Sequence, residues 1–115
     1  MSDNYERDMA LTLDEVLSIV STIDENKVEM SSGHEKTEEF IIQNNISPNE
    51  VIIIVKSINA NNFVKGPVPD DKQSWRRNKP VWIFKKDYQG LKLYIKLKVF
   101  ITNHKVLIVS LHEDE

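Results

Sequence analysis

The clearest pattern in the chain lies between positions 91 and 101, where apolar and polar residues alternate without interruption. Leu91, Leu93, Ile95, Leu97, Val99 and Ile101 fall on one side, and Lys92, Tyr94, Lys96, Lys98 and Phe100 on the other. Successive strand side chains point to opposite faces, so this spacing predicts a strand with one apolar face and one lysine-rich face. Runs at 80–86 and 106–112 read as two further antiparallel strands. The link at 87–90 is short and ends in Gly90, and the link at 102–105 contains Asn103; both are turn chemistry. On the last strand Leu107, Val109 and Leu111 are expected to face the core, with Ser110 and His112 opposite. From Val106 to Leu111 only Ser110 is polar, which places this hairpin centrally in the sheet.

Upstream of position 63 the period becomes helical. Thr12, Leu13, Asp14 and Glu15 spell a capping box, and Leu13, Val16, Leu17, Val20 and Ile23 follow at helical spacing. A second box, Ser32 to Glu35, opens a segment expected to run to about Asn45. The third, Ser47-Pro48-Asn49-Glu50, combines an N-cap Ser, Pro at the first helical position and Glu at the third. Val51 to Val55 are all β-branched and by propensity alone predict a strand. The complete cap, and the continuation of the face at Ile58, predict a helix instead. Gly66, Pro67, Pro69, Asp70 and Asp71 read as a loop. Helices packed on a C-terminal antiparallel sheet of about three or more strands make an α+β fold.

At 115 residues the chain is one domain, with 12–115 as its body and 1–11 expected to be a mobile N-terminal segment. The absence of Cys excludes disulfide scaffolds, thiolate zinc sites and Cys nucleophiles. No apolar run approaches the ~20 residues that span a bilayer, and the polar, acidic start is unlike a targeting peptide. A cytoplasmic protein with no membrane partner is expected. His34, His104 and His112 have no metal-site spacing, so neither a metal nor a cofactor is expected. Walker loop, dinucleotide fingerprint and nucleophile elbow are all missing from the sequence.

Charge changes the picture more than composition does. The net charge is −3, yet residues 1–62 hold 4 Lys/Arg against 12 Asp/Glu, while residues 63–105 hold 11 against 3. A basic half in an acidic protein points to an anionic ligand bound on one face, nucleic acid first among them; the plainer reading is a solvated lysine face. Tyr94 and Lys96 are neighbours on that face, and His112 joins them if the last strand pairs beside the middle one. A Tyr, a Lys and a His in one place match metal-independent phosphodiester cleavage. That reaction needs a proton acceptor for the ribose 2′-hydroxyl, a proton donor for the leaving oxygen and cations for the phosphorane. Histidine suits both proton roles near neutral pH. Each residue also has an ordinary role open to it: His112 at the surface, Tyr94 as a half-buried strand aromatic, and Lys92, Lys96 and Lys98 as solvated lysines. Trp75, Arg76 and Arg77, followed by Lys79 and Trp82, mix aromatic and cationic groups suited to stacking on bases and holding phosphate. Both tryptophans can equally serve the core.

The stretch 90–112, with Tyr94-Ile95-Lys96 on one strand and Val106-Leu107-Ile108-Val109-Ser110-Leu111-His112 on the next, resembles the end of the MqsR toxins. These are mRNA interferases of the RelE-like superfamily. Asn62-Phe63-Val64-Lys65-Gly66 resembles the family's segment before its loop, and the order of helices then sheet is shared. The likeness is strong over 90–112, weak over 62–82 and architectural before that. It implies a RelE-like fold and a type II toxin that cuts mRNA, free or on the ribosome, without a metal and under the control of an antitoxin protein. Residue by residue it points to Lys65, Tyr94 and Lys96. A family lysine on the last strand is His112 here, and a family glutamine has no clear counterpart, with Gln73, Arg77 and Lys79 nearby. The low pI departs from the usual basic toxin.

The reading this supports is an endoribonuclease with Lys65, Tyr94, Lys96 and His112 as its catalytic set. Trp75, Arg76, Arg77, Lys79, Lys92 and Lys98 are then expected to bind RNA. The alternatives are a non-catalytic RNA-binding or immunity-type protein on the same scaffold, and a small protein-interaction domain.

Overall fold

The computed structural model describes residues 10–31, 34–69, 80–101 and 104–114; the expected mobile segment 1–11 falls almost wholly outside them. The first helix, α1 (Leu13–Thr22), starts at its expected cap. The Glu15 amide donates to Thr12 Oγ1 at 3.2 Å, and the Thr12 amide donates to Glu15 Oε1 at 2.8 Å. A 3-10 turn, Glu25–Lys27, leads into a short strand, β1 (Val28–Met30), which the residue pattern did not announce. Next come α2 (Glu35–Gln43) and α3 (Pro48–Lys56). The box expected at α2 does not form as such: His34 is the N-cap and makes no side-chain capping bond, while Ser32 lies outside the described residues. In α3 both halves of the box close, Glu50 amide to Ser47 Oγ at 3.1 Å and Ser47 amide to Glu50 Oε1 at 2.9 Å. Two orphan amides satisfied together, with Val51, Ile54 and Val55 buried, hold this β-branched run in a helix.

Strands β2 (Phe63–Val68), β3 (Val81–Tyr88), β4 (Leu91–Phe100) and β5 (Lys105–Glu113) complete the fold. The sheet has five strands in the order β1-β5-β4-β3-β2. β2 to β5 pair antiparallel, but β1 runs parallel to β5, so the sheet is mixed. Of the loop expected at 66–71, Gly66, Pro67 and Val68 instead belong to β2, and Asp70 and Asp71 lie outside the described residues. Pro67 is tolerated there because β2 is an edge strand, where a missing amide costs no ladder bond. Gly66 is required by close approach: a Cβ at that position would lie 2.8 Å from the Trp82 ring. The β3–β4 link is a two-residue turn, and Gln89 and Gly90 both have positive φ, 49° and 83°, as a tight hairpin of this hand demands.

Helices α1 and α3 cover one face of the sheet. Val16, Val20, Ile54 and Val55 form one cluster with Trp82, Phe84, Leu93, Ile95, Leu97 and Val99, so Trp82 is a core residue. From β5 the core takes Val106, Ile108 and Leu111, not the expected set of Leu107, Val109 and Leu111. A bulge is the reason. Lys96 pairs with Ser110 but Leu97 pairs with Ile108, which leaves Val109 as an extra residue. One inserted residue reverses the phase of everything before it. Leu111 still points inward, and Ser110 and His112 still take the other side. Among the described residues no helix is long and apolar enough to cross a membrane.

Candidate nucleic-acid interface

The face of the sheet away from α1 and α3 carries the candidate chemistry, and strand register fixes which residues meet. Lys85 of β3 pairs with Tyr94 of β4, which pairs with His112 of β5, so these three form one row. The next row reads Lys65, Ile83, Lys96 and Ser110, one residue from each of β2 to β5. Lys98, opposite Leu107, lies beyond it. The rings of Tyr94 and His112 stack, with centroids 5.2 Å apart and 21° between planes. His112 Nδ1 lies 3.0 Å from the Glu113 carbonyl oxygen. A carbonyl only accepts, so Nδ1 carries the proton in the neutral ring and Nε2 keeps its lone pair.

The four expected catalytic residues therefore occupy two adjacent rows. With strands about 4.8 Å apart, Lys65 and Lys96 are about 10 Å apart at the backbone, within reach of a shared phosphate. Neither side chain makes a hydrogen bond or ion pair with another described residue. Three other lysines of this half face carboxylates. Lys92 lies 3.6 Å from Asp87, Lys85 lies 3.2 Å from Asp114, and Lys105 lies 3.4 Å from Glu29 and over the Phe100 ring. Asp114 is fixed by its amide, which donates to the Lys92 carbonyl at 2.7 Å and extends the pairing past β5. The face is thus graded, neutral near Asp87 and Asp114 and cationic around Lys65 and Lys96. Lys92 belongs to the neutral end. Trp75, Arg76, Arg77 and Lys79, with Gln73, lie outside the described residues.

Three further residues enter the site that the sequence did not single out. Lys85 was half legible, since alternation puts it on the side of Ile83, but only the register sets it opposite Tyr94. Asp114 lies in the acidic run Glu113-Asp114-Glu115, which no motif singles out. His34 was read as part of a cap, yet its Nε2 lies 3.1 Å from Ser110 Oγ and its Nδ1 lies 3.4 Å from Thr37 Oγ1. Thr37 Oγ1 in turn accepts the Leu111 amide at 3.0 Å. β1 pairs only with Val106 to Ile108 of β5; past that point the Thr37 hydroxyl replaces a strand partner. No spacing rule joins positions 34, 37 and 110, because an edge contact between α2 and β5 brings them together. Among the described residues, no three His, Asp or Glu side chains form a group that holds a metal. No protein-family model matches the chain, and no curated protein or solved structure matches it either.

Proposed function

We propose that the protein is a metal-independent endoribonuclease of the RelE-like, MqsR-type class, the toxin of a type II pair whose second member is an antitoxin protein. The observation that carries this reading is the Tyr94–His112 stack beside Lys96 and Lys65 on one rigid sheet face. Strands hold their side chains more firmly than loops, which suits in-line chemistry. In the proposed reaction His112 Nε2 takes the proton of the ribose 2′-hydroxyl as that oxygen attacks the adjacent phosphorus. Lys65 and Lys96 stabilise the charge gathering on the phosphorane oxygens. The bond from phosphorus to the 5′-oxygen breaks, and the leaving oxygen takes a proton from Tyr94, which His112 then restores. The products are a 2′,3′-cyclic phosphate and a free 5′-hydroxyl, and water later opens the ring to a 3′-phosphate.

The test is cleavage of a single-stranded RNA by purified protein in the presence of a chelator. The expected result is fragments ending in cyclic phosphate, and none when the 2′-hydroxyl at the cut position is replaced by hydrogen. Binding without cleavage would move the protein to the RNA-binding or immunity-type reading. Cleavage of the 2′-deoxy substrate would exclude the mechanism.

A further inference from the structure

Among the described residues two polar side chains are buried, Thr37 at 2% and Ser110 at 3% exposure. The half-buried ring of His34 bridges them, with Nε2 3.1 Å from Ser110 Oγ and Nδ1 3.4 Å from Thr37 Oγ1. Thr37 Oγ1 also accepts the Leu111 amide at 3.0 Å. One imidazole therefore ties the first turn of α2 to two consecutive residues of β5, to Ser110 directly and to Leu111 through the Thr37 hydroxyl. His34 is the N-cap of α2 and yet makes no side-chain capping bond. Its ring serves the strand and not the helix.

We infer that His34 is a proton-operated clamp, which holds the start of α2 on β5 while its ring is neutral and loosens it when the ring is protonated. The clamp does not depend on whether the protein cuts RNA. A neutral imidazole donates from one nitrogen and accepts at the other, so in either tautomer it takes the hydrogen of one of the two buried hydroxyls. An imidazolium donates from both nitrogens and accepts at neither, which removes that acceptor. A buried polar hydrogen left without an acceptor is costly. The surrounding charge acts in the same sense. The ring stands at the N-terminus of α2, where the helix dipole disfavours a cation. Lys96 pairs with Ser110 across the sheet, Lys98 lies farther along β4, and Lys105 begins β5. The carboxylates nearby are Glu35 and Glu38 in the first turn of α2 and Glu29 on β1; all three are exposed, where water and salt screen them, and Glu29 faces Lys105. Lys36 on α2 and His112 on β5 add no negative charge. An unfolded chain protonates histidine near pH 6.5. A folded state that resists the same proton is fully stabilised above that value and loses the benefit as pH falls toward the point where the folded ring is protonated too.

The test is amide hydrogen exchange of the full chain between about pH 8 and pH 5, the range in which histidine changes charge, with the His34 ring resonances followed in the same samples. The ring should titrate at least about one unit below 6.5, and protection of the Leu111 amide, corrected for the intrinsic pH dependence of exchange, should fall at least about tenfold toward pH 5, the factor that one unit gives. The Val16 amide, bonded to the Thr12 carbonyl at the far end of α1, opens without moving His34 and should change less than about twofold over the same range. His34→Gln cannot titrate, and with its fold checked by melting at pH 8 it should lose the fall at Leu111. His112→Ala should keep it. A ring that titrates at or above about 6.5, or a Leu111 amide whose protection stays constant while the ring titrates, overturns the inference. A fall that survives in His34→Gln and vanishes in His112→Ala overturns it as well, and assigns the response to the neighbouring histidine. Should His34→Gln fail to fold, the wild-type ring and amide decide between these outcomes together with His112→Ala.

Discussion

The two faces of β4 are built from the same ten residues and could hardly differ more. Leu93, Ile95, Leu97 and Val99 are sealed against α1 and α3, while Tyr94, Lys96 and Lys98 on the alternate positions stay half open. Because the strand period is two, a change at one position leaves the neighbouring face untouched. Folding and candidate chemistry are thus encoded in alternate letters of one segment. The difference teaches where to cut: substitutions on one face should act on stability, and those on the other on RNA.

The largest separation is expected between His112 and Leu97. His112→Ala removes the proposed proton acceptor, and general acid–base groups contribute typically ~10²–10⁴ in rate. Cleavage should fall about a thousandfold. The melting temperature should change little, because only a ring stack worth about 0.5–1.5 kcal/mol is lost. If His112→Ala cuts RNA at the wild-type rate, the comparison fails at its most important point. Leu97→Ala should do the reverse. Leu97 is fully buried between the register partners Trp82 and Ile108, and deleting such a side chain costs about 2–5 kcal/mol. Denaturant unfolding should show that loss, while the rate per folded molecule stays near wild type.

A smaller effect is expected at the edge of the sheet. Thr37→Val keeps the shape but removes the hydroxyl that accepts the Leu111 amide. A buried amide left without a partner costs about 1–3 kcal/mol, measurable by denaturant unfolding. Hydrogen exchange at Leu111 should accelerate more than at Ile95 in the middle of the sheet. A loss spread evenly over both amides would show that Thr37 acts through packing alone.

What was legible in the sequence follows the range of the interactions. The capping boxes of α1 and α3 are local, and both were readable from four residues each. The alternation on β4 was equally plain, and it placed Tyr94 and Lys96 together before any pairing was known. The bulge at Val109 was not legible, because it exists only as a mismatch between two strands, and it displaced Leu107 and Val109 from the expected core. β1 was missed because three residues carry no periodicity. Proline and glycine masked β2, although an edge strand accepts both. The site was half legible for the same reason. Lys65, Tyr94, Lys96 and His112 could be nominated by type and phase, but the pairing of Lys92 with Asp87 and of Lys85 with Asp114 depends on register.

That grading of the lysine face can itself be tested. Asp114→Asn releases Lys85 in the same row as Tyr94 and His112. Affinity for a short single-stranded RNA should rise about two- to fivefold at low salt, and the slope of log affinity against log salt should steepen by about 0.7, one phosphate contact on a single strand. Lys96→Ala should shift the slope by a similar amount in the opposite direction. Lys92→Ala, at the neutral end, should change affinity less than twofold. Equal losses for Lys92→Ala and Lys96→Ala would mean that the face binds as a uniform cationic surface.

The smallest effect concerns a junction on the helix-covered side of the sheet, away from the lysine face, and so serves as a control on the comparison. Glu50 closes the cap of α3 and also accepts a hydrogen bond from the Tyr88 hydroxyl at 2.9 Å, tying the helix start to the end of β3. The Ser47 backbone amide, and then the Tyr88 hydroxyl, hold the Glu50 carboxyl below its ordinary value of 4.5. The bond to Glu50 pushes the Tyr88 phenol above its ordinary value of 10.0. A carboxyl depressed in the folded state stabilises fully above the ordinary value, and the benefit is lost as pH falls through the folded one. A phenol raised in the folded state stabilises fully below its ordinary value, and the benefit is lost as pH climbs through the folded one. Glu50→Gln and Tyr88→Phe should therefore both melt below wild type at pH 7. For Glu50→Gln the gap should close in acid below pH 4.5, and for Tyr88→Phe it should close there and again above pH 10, with RNA cleavage at pH 7 unchanged in both. A gap independent of pH would show that these side chains stabilise the junction by packing and not through the charge-assisted bond.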